Sequence, residues 1–191
     1  MTHHVLALGD SLTAGYGLRS NESFAAQLQA LLRQTSPGTI VHNAGVSGDT
    51  TAGGRARLPR VLTRLTRKPD LAVLELGAND LLRIVDPART RENLDAMLET
   101  FRDARIPVLL AGMLAPPFLG AFAARYNAVF PELAAKHGVP LYPFFLDGVV
   151  GDRSLALADG IHPNARAIGM IARRILPHVV AALDGSARAA A

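Results

Sequence analysis

The chain contains no cysteine. That removes disulfides, thiolate metal sites and a cysteine nucleophile together, and it leaves the redox compartment open. No apolar run approaches the roughly 20 residues that a membrane span requires. Residues 1–4 lead directly into the first apolar run, so no signal peptide is expected in this sequence. The compartment is then periplasmic or secreted if a signal peptide has been removed, and cytoplasmic otherwise. Aromatic residues are scarce, at 5%, and do not interleave with the basic ones, so stacking on nucleic-acid bases has little support. No internal repeat, linker or low-complexity segment divides the chain.

What is present suits one domain over residues 1–191, long enough to bury a substantial core. Hydrophobic residues make up 49% and charged residues 19%, a globular rather than a disordered composition. The formal net charge is +4, carried largely by arginine. Arg57, Arg60, Arg64 and Arg67 share one face of a helix by their i, i+3, i+7 spacing. Such a face attracts anionic lipid or nucleic acid, but a merely solvated helix face is the plainer reading and is preferred here.

Five apolar strand segments alternate with helical patterns. The expected strands cover residues 4–8, 39–42, 71–76, 107–111 and 140–142. The expected helices run from Asn21 or Ser23 to about 34, from beyond the glycine-rich loop 43–50 to about 66, over 90–103, over 120–137, and from Asn164 to about 183. A small, polar tail, residues 184–191, is expected to fray. Strands and helices alternating over short loops imply a parallel sheet covered on both faces. Ligands of such sheets bind beyond the carboxyl ends of the strands.

The loops at that edge hold the informative residues. Gly9-Asp10-Ser11-Leu12 follows the first strand and places a serine where a rigid element positions a loop, as a nucleophile requires. The plainer alternative is a strand-to-helix turn capped by Asp10 and Ser11. A serine needs a base, and His162 alone among the histidines lies in an irregular loop with an acid, Asp159, three residues before it. Asp159 can hold one imidazole nitrogen while the other faces Ser11. Alternatively, Asp159 and Asn164 cap the last helix. Developing negative charge needs fixed donors, for which Gly48, Asn79 and the Ser11 amide are placed. Turn and cap chemistry is the simpler role for Gly48 and Asn79.

These blocks resemble those of the SGNH (GDSL) hydrolases, and most resemble the bacterial thioesterase I/lysophospholipase L1/arylesterase branch. The residues that carry the resemblance are Gly9-Asp10-Ser11-Leu12, Gly48 in Ser47-Gly48-Asp49-Thr50, Asn79 in Gly77-Ala78-Asn79-Asp80, and Asp159 with His162. The third block has Ala78 where a second glycine is familiar in that branch. The resemblance implies a flavodoxin-like three-layer α/β/α sandwich with a five-stranded parallel sheet of order 2-1-3-4-5. It implies Ser11, Asp159 and His162 as the catalytic residues, and Ser11, Gly48 and Asn79 as the oxyanion hole. It implies a serine esterase acting on carboxylic esters and thioesters: aryl esters, short-to-medium acyl esters, acyl-CoA and lysophospholipids.

Apolar residues near these loops are candidates for an acyl groove: Leu81, Leu82, Met113, Pro116, Phe118 and Ile161. Ordinary loop packing explains them equally well. Arg83 among them would meet an anionic substrate head or simply be solvated. Nothing calls for a cofactor or a metal. The expected partner is a small-molecule ester or thioester with an apolar acyl group, with no nucleic acid, at most weak peripheral contact with anionic membrane, and a monomer or weak dimer. The alternatives are a carbohydrate-acetyl esterase on the same fold, a metal-dependent phosphoesterase and a catalytically silent binding module. The phosphoesterase reading lacks the histidine ligands that should follow its blocks.

Overall fold

Val5, Leu6, Ala7 and Leu8 are apolar without alternation, as are Leu71 to Leu74. A strand of that kind must be covered on both faces. In the structure, a computed structural model that describes residues 2–189, both runs are fully buried central strands. The strands are β1 (His4–Gly9), β2 (Ile40–Gly45), β3 (Leu71–Glu75), β4 (Val108–Ala111) and β5 (Leu141–Tyr142). All pairs are parallel and the order is β2-β1-β3-β4-β5. This is the flavodoxin-like arrangement that was expected.

The helices in chain order are α1 (Ser11–Ala14), α2 (Phe24–Leu32), α3 (Thr51–Arg64), α4 (Ala78–Leu82), α5 (Pro87–Asp103), α6 (Gly120–His137) and α7 (Ala165–Ala189). α2 packs against α7, while α3, α5 and α6 pack in succession as a second layer. Caps set their starts. Ser23 accepts a hydrogen bond from Ala26 N–H at α2, and Thr50 accepts one from Gly53 N–H at α3. α5 begins earlier than expected because Asp86 caps Ala88 N–H at 3.1 Å and Pro87 occupies the first helical position. α7 passes the expected end at residue 183 and runs on through residues 184–186, Asp-Gly-Ser, to Ala189, against their weak helix propensity. Residues 190 and 191 of the expected frayed tail lie outside the described residues.

Strand register brings the site together. Gly9 pairs with Gly45 on one side and with Glu75 on the other, so β1, β2 and β3 end at the same level. β2 runs past the expected residue 42 because Asn43, Ala44 and Gly45 continue the ladder with Ala7, Leu8 and Gly9. Chain direction diverges at β1, with β2 on one side and β3 on the other. That divergence opens a crevice at the carboxyl edge, between the loops that follow β1 and β3.

Candidate active site

Ser11 leaves β1 in a single turn of helix. Asp10 caps that turn by accepting Leu12 N–H at 2.9 Å, and Gly15 closes it in the left-handed conformation. Ser11 is thus not in an open loop: it is only 7% exposed, because α1 folds it down against β2 and α2. The capping reading of Asp10 holds at the same time.

His162 reaches Ser11 from the far end of the chain. Its Nε2 lies 3.0 Å from Ser11 Oγ, and its Nδ1 lies 2.6 Å from Asp159 Oδ2. The other Asp159 oxygen accepts the Ile161 and His162 backbone N–H groups at 2.9 and 3.0 Å. Those bonds, first that from Ile161 and then those from His162, hold the Asp159 carboxyl down at about 2. An ionised Asp159 favours the tautomer with a proton on Nδ1, which leaves Nε2 free to accept the serine proton. Asn164, not Asp159, caps α7, accepting Ala167 N–H at 3.1 Å. The Tyr16 ring lies 4.4 Å from the imidazole, centroid to centroid. Sequence reasoning gave Tyr16 no role, since only the return of a loop more than a hundred residues away brings the rings together.

Asn79 lies in the first turn of α4. Its Nδ2 donates to Asp10 Oδ2 at 3.1 Å, so the amide is tied to the residue preceding Ser11. Gly77 sets this up with φ 128°, and a side chain there would run into the Tyr126 hydroxyl, which donates to Gly77 O at 2.8 Å. Gly48 occupies the third position of the turn from Val46 to Asp49, closed by Asp49 N–H to Val46 O at 3.1 Å. Its φ of 79° requires glycine there, although a side chain would meet nothing closer than the Arg83 guanidinium at 4.0 Å. Among the described residues the Ser11 and Gly48 N–H groups have no acceptor, so both remain free to meet an anionic oxygen.

Carboxylates form the floor. Asp80, to which the sequence reading gave no role of its own, is buried and accepts Thr51 N–H at 2.8 Å and the Thr51 and Thr90 hydroxyls, anchoring α4 to α3 and α5. Glu75 ends β3 fully buried. Its Oε2 accepts the Thr13 hydroxyl at 2.7 Å and, at 3.4 Å, Asp10 N–H, while its Oε1 has no partner. Burial, then the charge of Asp10, pushes the Glu75 carboxyl well above the ordinary range. Burial likewise raises Asp10 to about 6, against its hydrogen bonds from Leu12 and Asn79.

The proposed acyl-groove residues divide. Phe118 is 84% exposed, and Leu82, Pro116 and Ile161 are also exposed. Met113 is 2% exposed and belongs to the core, and Leu81 packs against that core, so the packing reading applies to these two. Ile161 also lines a cavity of about 160 Å³ formed behind the His162 loop with Val149 and Leu155, and Ser11 takes no part in it. Arg83 is not simply solvated: its Nη2 donates to Gly48 O at 3.0 Å. His42 stacks on His4, His137 bonds to Asp95, and His178 meets Tyr142 edge-on. Arg57 departs from the expected solvated face and turns in to bind Asp49.

A parallel α/β sheet with a serine, a histidine and an aspartate in hydrogen-bond contact at its carboxyl edge defines a class of hydrolase-like sites. The chain belongs to the GDSL-like Lipase/Acylhydrolase family, whose model matches residues 7–167. It is 40% identical over 174 residues to Esterase TesA of Pseudomonas aeruginosa, covering 91% of this chain and 86% of that protein. It is 37% identical over 169 residues to Thioesterase 1/protease 1/lysophospholipase L1 of Escherichia coli K12, covering 88% of this chain and 79% of that one. The crystal structure of AlinE4, an SGNH-hydrolase family esterase, superposes with a TM-score of 0.80 at 44% identity, covering 96% of this chain and 97% of the other.

Proposed function

We propose that this protein is a serine esterase that cleaves carboxylic esters and thioesters through an acyl-enzyme on Ser11. The observation that carries the reading is the unbroken contact from Ser11 Oγ to His162 Nε2 and from His162 Nδ1 to Asp159. In the first half, Ser11 Oγ adds to the substrate carbonyl carbon as its proton passes to His162 Nε2. Asp159, ionised, stabilises the imidazolium that results. The oxyanion is met by the Ser11 and Gly48 N–H groups and by the Asn79 amide. Collapse expels the alcohol or thiol, which takes the proton back from His162. Water then repeats the sequence on the acyl-serine and releases the acid.

The esterase, thioesterase and lysophospholipase names of relatives support this chemistry and an acyl substrate. Exposed Leu82, Phe118 and Ile161 favour an apolar acyl group, as do Ile84 and Leu114 on neighbouring loops. Across p-nitrophenyl acetate, butyrate, hexanoate and octanoate, kcat/KM is expected to rise beyond acetate. Cleavage of acetate alone would contradict the apolar preference. The reaction itself is tested with p-nitrophenyl butyrate in the presence of EDTA, comparing wild type with Ser11→Ala. Turnover in the wild type and none in the variant is the expected result; turnover persisting in the variant would refute Ser11 as nucleophile.

A further inference from the structure

Gly48 lies on a turn that apolar packing does not hold. Val46, Ser47 and Gly48 are all exposed. Backbone bonds secure the turn at two points, Asp49 N–H to Val46 O and Val46 N–H to Gly9 O, at 3.1 and 3.0 Å, and the exposed Arg83 adds a bond from Nη2 to Gly48 O at 3.0 Å, where water competes for it. A donor on so light a support would move by fractions of an ångström unless something else fixed it, and oxyanion stabilisation is steep in that displacement.

A better-shielded tie comes from α3. The Arg57 guanidinium spreads three hydrogen bonds over three segments. Nε donates to Asp49 Oδ2 at 2.6 Å, Nη1 to Ala44 O at 2.8 Å and Nη2 to Gly9 O at 2.9 Å. One acceptor follows Gly48 directly, one is near the end of β2, and one ends the strand that delivers Ser11. The Asp49 and Arg57 side chains are 10% and 20% exposed, so water competes weakly for the pair. Asp49 itself is wedged over the first turn of α3, where a side chain at Gly53 would collide with its carboxylate. The guanidinium is planar and presents donors in fixed directions, so it can hold these three acceptors at once. An ammonium has three donors, but all on one nitrogen and free to rotate, so it lacks that fixed fork.

We propose that Arg57 is a positioning residue for the reaction: it clamps the Gly48 turn to the ends of β1 and β2 and so fixes the Gly48 N–H against the carbonyl that Ser11 attacks. The inference rests on the reading of Gly48 as an oxyanion donor. It separates Arg57 from Arg60 and Arg64, which lie on the same helix face without ion-pair partners among the described residues.

The test uses the whole protein carrying Arg57→Lys, which keeps the charge and loses the fork, and Asp49→Asn, which keeps the shape and weakens the pair. Kinetics on p-nitrophenyl butyrate are read beside binding of butaneboronic acid, whose adduct with the serine oxygen mimics the tetrahedral anion. For Arg57→Lys the expected kcat is lower by about tenfold to a hundredfold with KM within about twofold, and boronate binding weakens by the same factor. Asp49→Asn is expected to follow in the same direction with a smaller loss. A purely structural role would lower the melting temperature and leave kcat per folded molecule and boronate affinity at wild-type values. That result in whichever variant folds overturns the proposal. Ser11→Ala serves as the control: if it retains turnover, the reading of the site fails and takes this role with it. If it is inert while position 57 behaves as wild type, the positioning role alone fails.

Discussion

Asp10 precedes Ser11 in the chain, and Asp159 reaches it through His162. Both carboxylates lie around one serine, yet their surroundings push them in opposite directions. Asp10 is fully buried and raised to about 6, chiefly by loss of water. Asp159 is exposed and lowered to about 2, chiefly by backbone hydrogen bonds. The buried side, Asp10 with Glu75 beneath it, shapes the backbone around Ser11 and Asn79. The exposed side keeps a permanent charge against an imidazole. Burial thus costs the scaffold carboxylates their ease of ionisation, while the residue whose charge the proposed reaction needs is left in water and stabilised by N–H donors.

The comparison breaks most severely at its centre. Ser11→Ala and His162→Ala are each expected to lower kcat by about 10⁴-fold or more while far-UV circular dichroism stays that of the wild type. On the exposed side, Asp159→Asn puts an amide N–H group or a weaker acceptor against Nδ1. The expected loss in kcat is on the order of 10⁴-fold. Because Asp159 stays ionised down to about 2, its titration does not set the acid limit of activity. A wild-type rate in Asp159→Asn would remove it from the relay.

On the buried side, Asn79→Ala is expected to cost about 2.7–4 kcal/mol of transition-state stabilisation, read from kcat/KM. A rate within about twofold of wild type would detach Asn79 from the oxyanion site. The smallest effect belongs to Glu75→Gln and is one of stability. The folded Glu75 holds its proton well above the pH at which the unfolded one releases it. Its contribution is therefore full below the unfolded value and is lost as pH rises towards the folded one. Glutamine keeps an oxygen for Thr13 and has nothing to ionise. Melting temperatures between about pH 4.5 and 8 should fall more steeply with pH in the wild type than in Glu75→Gln. A steeper fall in the variant would mean that Glu75 is ionised in the folded state.

Much of this was legible in the sequence for a physical reason. Doubly covered strands read as continuous apolar runs, and Ser11, Gly48, Asn79 and His162 all fall just beyond strand ends or in an irregular loop. The single-turn helices α1 and α4 were not legible, because a segment of four or five residues has no period to detect. Helical spacing placed Arg57 on a face, but gave no sign that the Asp49 turn folds back over that face. Met113, next after the glycine that follows β4, reads the same from sequence whether it lines a groove or fills the core. Asp80 sits inside one of those short helices, and its role shows only once the fold brings Thr51 to it.

The most direct measurement is covalent labelling with a fluorophosphonate, followed by mass spectrometry of the digested protein. The account predicts one adduct, on Ser11 in the peptide that follows β1, forming as esterase activity is lost and absent in His162→Ala over the same interval. An adduct on Ser47, or loss of activity with Ser11 unlabelled, would contradict it.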